Sequence, residues 1–159
     1  MNPDENRPTE QATQPAYATL LLKSYRSLTG RDLLPPAASI EAAAEALFNA
    51  PFVVLSHKAS HDPVFVYANR AALARFSMSL NEIIGLPSRY SAEPVARDER
   101  QRLLDCVTKQ GYIDDYRGVR IAKNGKRFEV RNATVWNVMN ECGIMVGQAA
   151  AFSEWIDIE

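Results

Sequence analysis

The chain has 159 residues, of which 47% are apolar and 23% are charged, and its formal net charge is −1. This length fits a single domain that buries a core of its own. A nearly neutral chain has no overall charge that would attract nucleic acid or a membrane surface. Its two cysteines, Cys106 and Cys142, are too few for a disulfide framework, and no apolar run approaches the roughly 20 residues of a membrane span. We therefore expect a cytoplasmic protein.

The first third of the chain predicts a tail followed by helices. Residues 1–15 are rich in Pro, Asn, Gln, Thr and Glu, a composition typical of a disordered tail. Residues 16–50 predict a helical extension, because Tyr17 to Leu28 places its large apolar residues on one broad face. A second helix begins at Ser39 and ends before Asn49.

The middle of the chain predicts a hairpin and then three helices. Residues 52–67 hold two apolar, β-branched runs separated by turn-forming residues, which is typical of a hairpin. Asn69 is a good N-cap for a short helix over Arg70 to Phe76. Ser79 opens a second short helix with a capping box, and the longest helix runs from about Val95 to Gln110.

Three further strands end the chain. Tyr112 to Ala122 and Arg127 to Met139 flank an Asn-Gly turn, the strongest short signal for a hairpin. The last strand runs from Ile144 to Trp155. The strand over Arg127 to Met139 is apolar in both of its alternating sets, so its pattern leaves open whether Trp136 lies in the core or at an interface.

This order of elements resembles the PAS fold. That fold has five antiparallel strands in the order 2-1-5-4-3, with helices over one face of the sheet, and here it corresponds to residues 51–157. Three motifs strengthen the resemblance: the Asn-x-Ala entry into a helix at Asn69, the Glu-Ile-Ile-Gly helix ending at Gly85, and the Asn-Gly hairpin at Lys123–Phe128. The expected architecture is α+β, with an N-terminal helical extension.

A closer resemblance is to the MEKHLA domain, a PAS-like family found as standalone bacterial proteins and in plant class III homeodomain–leucine-zipper regulators. The match spans roughly residues 17–155. The segments that carry it are Leu28–Leu34, Asn49–Pro51, Val54–His57, Pro87–Arg89, Ser91–Pro94, Gly111–Asp115, Gly118–Arg120, Ala133–Asn137 and Gly147–Ala150. The resemblance implies sensing or regulation by a non-catalytic domain, with no assigned ligand.

The predicted binding space lies between the sheet and the helices that follow the first hairpin. The candidate ligand-binding residues are Phe76, Ser88, Arg89, Tyr90, Leu103, Val107, Tyr116 and Val135. The most distinctive segment is the loop Pro87–Pro94, because irregular loops often carry function. The alternative is structural: Arg89 and Glu93 would fix this loop by pairing with Asp114, Asp115 or Arg97.

Neither a cofactor nor a metal is predicted. His57 and His61 are expected to be surface residues of the first hairpin, without the further ligands that a metal needs. Haem PAS domains usually take a histidine from the long helix, and residues 95–110 contain none. Ser88 stands where flavin-binding light sensors have their reactive cysteine, and a hydroxyl cannot form that adduct. Non-covalent flavin or another small ligand stays open.

The expected function is a non-catalytic sensory domain that binds a small molecule or a protein partner and signals by association. A homodimer would form through the N-terminal helix or the sheet face. Basic residues cluster on the hairpin of residues 117–131, and a solvated sheet edge explains them better than a nucleic-acid site. The alternative is a small cavity enzyme or carrier of the nuclear-transport-factor type, which a hairpin at residues 52–67 beside the last strand would exclude.

Overall fold

The computed structural model describes residues 9–92 and 97–158. Within these ranges the helices are α1 (Glu10–Thr13), α2 (Pro15–Thr29), α3 (Ile40–Phe48), α4 (Arg70–Phe76), α5 (Leu80–Ile83) and α6 (Arg97–Gln110). The strands are β1 (Val53–Lys58), β2 (Phe65–Ala68), β3 (Tyr112–Ile121), β4 (Arg127–Met139), β5 (Met145–Phe152) and β6 (Glu154–Ile158). A 3₁₀ turn covers Ser88–Ser91. Val95, the predicted start of the long helix, and Glu93 lie outside the described residues.

The strands form an antiparallel sheet in the order β2-β1-β5-β4-β3, which confirms the predicted topology. The hairpin of β1 and β2 lies beside β5, so the alternative fold of the nuclear-transport-factor type is excluded. The sheet has one more strand than predicted, because the expected last strand is divided at Ser153. Its first part, β5, pairs with the second half of β4, and its second part, β6, pairs with the first half.

A bulge in β4 explains why both apolar sets of this strand are buried. Between the pairs Gly118–Val130 and Tyr116–Ala133, β4 advances by three residues while β3 advances by two. The extra segment contains Asn132 at φ 52°, in the left-handed region that Asn tolerates better than most residues. The bulge reverses the side-chain alternation along the strand. Phe128 and Val130 before the bulge therefore face the same side of the sheet as Ala133 after it.

Trp136 lies in the core, beneath the N-terminal helix of its own chain. Its indole Nε1 donates a hydrogen bond of 3.2 Å to the carbonyl oxygen of Leu21, and the ring of Tyr25 meets it edge-on at 5.1 Å. Ser24 accepts a 2.8 Å hydrogen bond from the backbone N–H of Met139. Helix α2 thus covers, in the same chain, the sheet face that had been considered for a dimer contact.

The predicted disordered tail over residues 1–15 includes residues that the structure describes as ordered. Thr9 caps α1 by accepting a hydrogen bond from the N–H of Ala12. Gln14 donates a 2.6 Å hydrogen bond from Nε2 to the carbonyl oxygen of Val66 on β2. Composition alone missed these contacts, because a polar segment can be held by capping and by side-chain bonds to the backbone.

Asn69 is fully buried and uses its amide to join three elements. Its Oδ1 accepts hydrogen bonds of 3.0 Å from the N–H of Val54 in β1 and from the N–H of Ala72 in α4. Its Nδ2 donates to the carbonyl oxygens of Leu47 in α3, at 3.1 Å, and of Phe52, at 2.8 Å. The side chain therefore acts as the predicted helix cap and also fixes α3 and β1 relative to α4.

The variant Asn69→Ala tests this junction. It removes four hydrogen bonds to backbone groups at this junction, so we expect the free energy of unfolding to fall by about 3 kcal/mol or more. The matched control is Asn49→Ala, which removes an exposed amide that accepts one hydrogen bond from Arg70. Urea unfolding measures both. A loss for Asn69→Ala within about 1 kcal/mol of the control would show that the junction does not depend on this amide.

Candidate functional site

A cavity lies between the sheet and helices α4 and α6. Its volume is about 50 Å³, and its walls are mostly apolar. Four predicted site residues line it: Phe76 from α4, Leu103 from α6, Tyr116 from β3 and Val135 from β4. The sheet strands supply most of the remaining wall, which includes Leu55, Phe65, Val130, Ala150 and Phe152.

The other four predicted site residues do not line this cavity. Val107 is fully buried in α6. Ser88 is also buried, and its backbone N–H donates a 2.8 Å hydrogen bond to the carbonyl oxygen of Pro63. Arg89 and Tyr90 lie on the outer surface, where Tyr90 is 48% exposed. The structure thus separates the loop residues from the apolar ones.

Arg89 pairs with Asp62, and not with the predicted Asp114 or Asp115. Its Nε and Nη2 donate to the two carboxylate oxygens of Asp62 at 3.1 and 3.4 Å, and its guanidinium lies 4.4 Å from the centre of the Tyr90 ring. The hydrogen bonds to Asp62 raise the pKa of Arg89 above its ordinary value. Asp114 lies 3.5 Å from Arg31 instead. The loop is therefore anchored to the turn between β1 and β2.

Arg120 enters the cavity wall, which the sequence pattern did not predict. Its Nη2 donates a short hydrogen bond to the hydroxyl of Tyr116, and its guanidinium lies 5.3 Å from the centre of that ring. Burial lowers the pKa of Arg120, while the Tyr116 hydroxyl acts in the opposite direction. The signal in the sequence is the spacing: Tyr116, Gly118 and Arg120 alternate along β3 and so share a face.

Gly118 makes room for this pair. A Cβ atom at this position would come within 2.7 Å of Tyr116 Cζ, closer than carbon atoms can pack. The ring of Tyr116 thus folds across the glycine toward Arg120. A side chain at position 118 would push the ring out of this position.

A polar network joins α6 to the sheet beside the cavity. Gln148 also lines the cavity, and the two N–H groups of its Nε2 lie within hydrogen-bond distance of three acceptors: the carbonyl oxygen of Leu104 at 3.0 Å, the hydroxyl of Thr108 at 2.9 Å and Oδ1 of Asn137 at 3.2 Å. Asn137 in turn donates to the carbonyl oxygen of Val107 at 2.9 Å. These bonds hold α6 over the sheet. The apolar sequence pattern of β5 did not predict them.

The prediction that His57 is a surface residue is wrong. Its side chain lines the cavity, and the residue is only 8% exposed. Its Nδ1 lies 3.2 Å from the carbonyl oxygen of Lys58. β1 pairs with β5 without interruption, so His57 faces the same side of the sheet as Leu55 and Val53, two and four residues earlier in the strand. Across residues 9–92 and 97–158, no three His, Cys, Asp or Glu side chains gather in a way that could hold a metal ion.

Part of the basic hairpin is paired with acidic side chains. Glu129 accepts hydrogen bonds from Arg117 at 2.8 Å and from Arg131 at 2.9 Å. These two bonds, the first above all, lower the pKa of the Glu129 carboxyl. Lys123 pairs with Glu82. Three basic residues of the hairpin, Arg117, Lys123 and Arg131, are therefore paired with carboxylates.

The cavity does not fit a flavin as the side chains stand. Sites for molecules of that size occupy roughly 300–1,000 Å³, whereas this cavity offers about 50 Å³. Ser88, at the position of the light-sensor cysteine, is not part of its wall.

The sheet order, the helices across one face and the cavity beneath them define a PAS-type domain, and known structures agree. A PAS domain from Colwellia psychrerythraea is similar at a TM-score of 0.63 and 16% identity, covering 75% of this chain and 96% of that one. The fungal blue-light photoreceptor Vivid, as a light-state dimer, matches at 0.58 and 17% identity, covering 87% and 91%. The LOV domain of the photoreceptor Aureochrome1 matches at 0.53 and 23%, covering 78% and 88%. These likenesses show the fold.

The particular family follows from the sequence itself. The MEKHLA domain family model matches residues 15–157, so the chain belongs to the MEKHLA domain family. The match includes the α2–α3 layer as well as the PAS-type sheet. No curated protein has significant sequence similarity to the chain. None of the helices in residues 9–92 and 97–158 combines the length and the apolar character that crossing a bilayer demands.

A double-mutant cycle tests the arrangement of the cavity wall. Gly118→Ala should lower the free energy of unfolding by about 1–3 kcal/mol, because the new methyl group displaces the Tyr116 ring. In a Tyr116→Ser background that clash is absent, so the same substitution should cost clearly less. Urea unfolding of the four proteins gives the coupling. Equal costs in both backgrounds would show that Gly118 does not make room for Tyr116.

Proposed function

We propose that this chain is a non-catalytic sensory domain that binds a small molecule between its sheet and α6 and signals by association. The observation that carries the proposal is the cavity itself. It is apolar, it lies under the helices of a PAS-type sheet, and a few polar groups converge on it, as is typical of small-molecule sites. Residues 51–157 are the sensing unit of the proposal, and residues 16–50 are its helical extension.

The chemistry of the lining supports a binding role over catalysis. The titratable side chains of the wall are those of His57, Tyr116 and Arg120, and no carboxylate is among the residues that line it. General acid–base catalysis needs a matched donor and acceptor within hydrogen-bond reach of a reacting group. Asp114 and Asp115 are exposed on β3, away from the cavity.

A reducing, cytoplasmic location is part of the proposal. Cys106 and Cys142 are exposed free thiols. Free surface cysteines suit a compartment that keeps thiols reduced, whereas secreted domains of modest size usually form disulfides.

Native mass spectrometry of freshly purified protein tests the binding role. We expect an additional small mass that is lost on denaturation. Ala150→Leu should abolish it by filling the cavity, while Ala38→Leu adds the same atoms at an exposed position and should retain it. A folded protein whose native mass equals that of the bare chain would contradict the proposal, as would a bound mass that Ala150→Leu leaves unchanged.

Association would use the outer surface of the helical extension, since α2 covers the sheet face. Ile40 is 55% exposed and lines a surface groove with Leu20 and Cys142. An exposed aliphatic side chain in such a groove suits a contact with a second copy of the chain. Vivid, similar in fold, was solved as a light-state dimer.

Light scattering over a range of concentrations tests the homodimer. We expect the average mass to rise from one chain toward two, and Ile40→Lys should weaken the association by placing a charge in the contact. Ser60→Lys adds the same charge at an exposed turn and should leave the mass unchanged. A mass of one chain at every concentration would contradict signalling by homodimerisation.

A further inference from the structure

Arg120 brings a positive charge into a mostly apolar cavity. One guanidinium nitrogen, Nη2, is bound to the Tyr116 hydroxyl. The other, Nη1, is withdrawn from solvent and has no hydrogen-bond partner among residues 9–92 and 97–158. Burying a charged donor without a partner is costly. Arginine keeps its proton under these conditions, because its ordinary pKa is far above neutrality.

No carboxylate of residues 9–92 and 97–158 pairs with this guanidinium. None of the cavity-lining residues is Asp or Glu. Glu129, the acid of the neighbouring strand, is bound to Arg117 and Arg131. Arg120 therefore differs from Arg117 and Arg131 of the same hairpin, which share the Glu129 carboxylate.

We infer that Arg120 makes the cavity a site for a small monocarboxylate with a short apolar body. A carboxylate matches the planar donor edge of a guanidinium. One of its oxygens would accept from Nη1. The other would accept the Tyr116 hydroxyl proton, which is free because the hydroxyl oxygen accepts from Nη2. This assignment rests on the proposed role of the cavity as a binding site.

The size and composition of the cavity limit the length and the polarity of the rest of the ligand. Leu103, Val135 and Phe76 form apolar wall, which suits a hydrocarbon chain and disfavours a second charge. An apolar cavity of about 150 Å³ holds benzene, so the 50 Å³ here points to a chain of few carbons. A single guanidinium also balances one negative charge rather than the two of a phosphate monoester.

The experiment compares sodium butyrate with butyramide, its neutral amide counterpart, at millimolar concentrations and at ionic strength matched with sodium chloride. Binding is followed by thermal unfolding and by the NMR signal of the Arg120 Nε–H group. We expect butyrate to bind the full chain at least about tenfold more tightly than butyramide. Arg120→Met should remove that preference, whereas Arg117→Met, an exposed arginine of the same strand, should keep it.

Three results would overturn the assignment. These are equal affinity for the acid and the amide, butyrate affinity unchanged in Arg120→Met, and no butyrate binding to the unmodified chain. Equal affinity for the acid and the amide would remove the carboxylate preference and leave the proposed binding role of the cavity intact. Absence of butyrate binding would also leave that role intact if a co-purifying mass is found and Ala150→Leu removes it. If Arg120→Met does not fold, Arg120→Lys retains the charge without the planar fork and should weaken butyrate binding severalfold.

Discussion

The buried amide of Asn69 is the constraint on which the two layers of this domain depend. It stands at the end of the β1–β2 hairpin and binds the first residues of α4, the start of β1 and the end of α3. Helix α3 belongs to the N-terminal layer, and α4 belongs to the cavity layer. One side chain therefore sets the position of both layers against the same strand, and it does so with all four of its hydrogen bonds made inside the protein.

The bulge at Asn132 lets one strand serve two cores. On one face, Phe128, Val130 and Ala133 pack with the helices around the cavity, and on the other Trp136 and Val138 pack beneath α2. The helical extension is thus part of the domain, consistent with a family match that begins at residue 15. With one face covered by α2 and α3, the cavity lies on the opposite face of the sheet, under α4 and α6.

Much of the fold could be predicted, because it follows from local patterns. Alternation, capping at Asn69 and the Asn-Gly turn predicted the strands and the helix entries, and apolar periodicity predicted Phe76 and Leu103. The spatial order of the strands came from the resemblance to the PAS fold. The rest depends on contacts between distant segments. The left-handed Asn132 leaves no periodic signal, and the Asp62 partner of Arg89 is 27 residues away. A charged residue on a strand, such as Arg120, is normally predicted to be exposed.

The proposed function requires that small molecules enter the space between the sheet and α6. Methyl NMR, with a small-molecule extract of the producing cells added to the purified chain, measures this directly. Shifts should concentrate on Leu103, Val130 and Val135, while Leu21 and Val138 on the opposite face of the sheet stay unchanged. Shifts centred on that opposite face, or none at all in a folded chain, would contradict it.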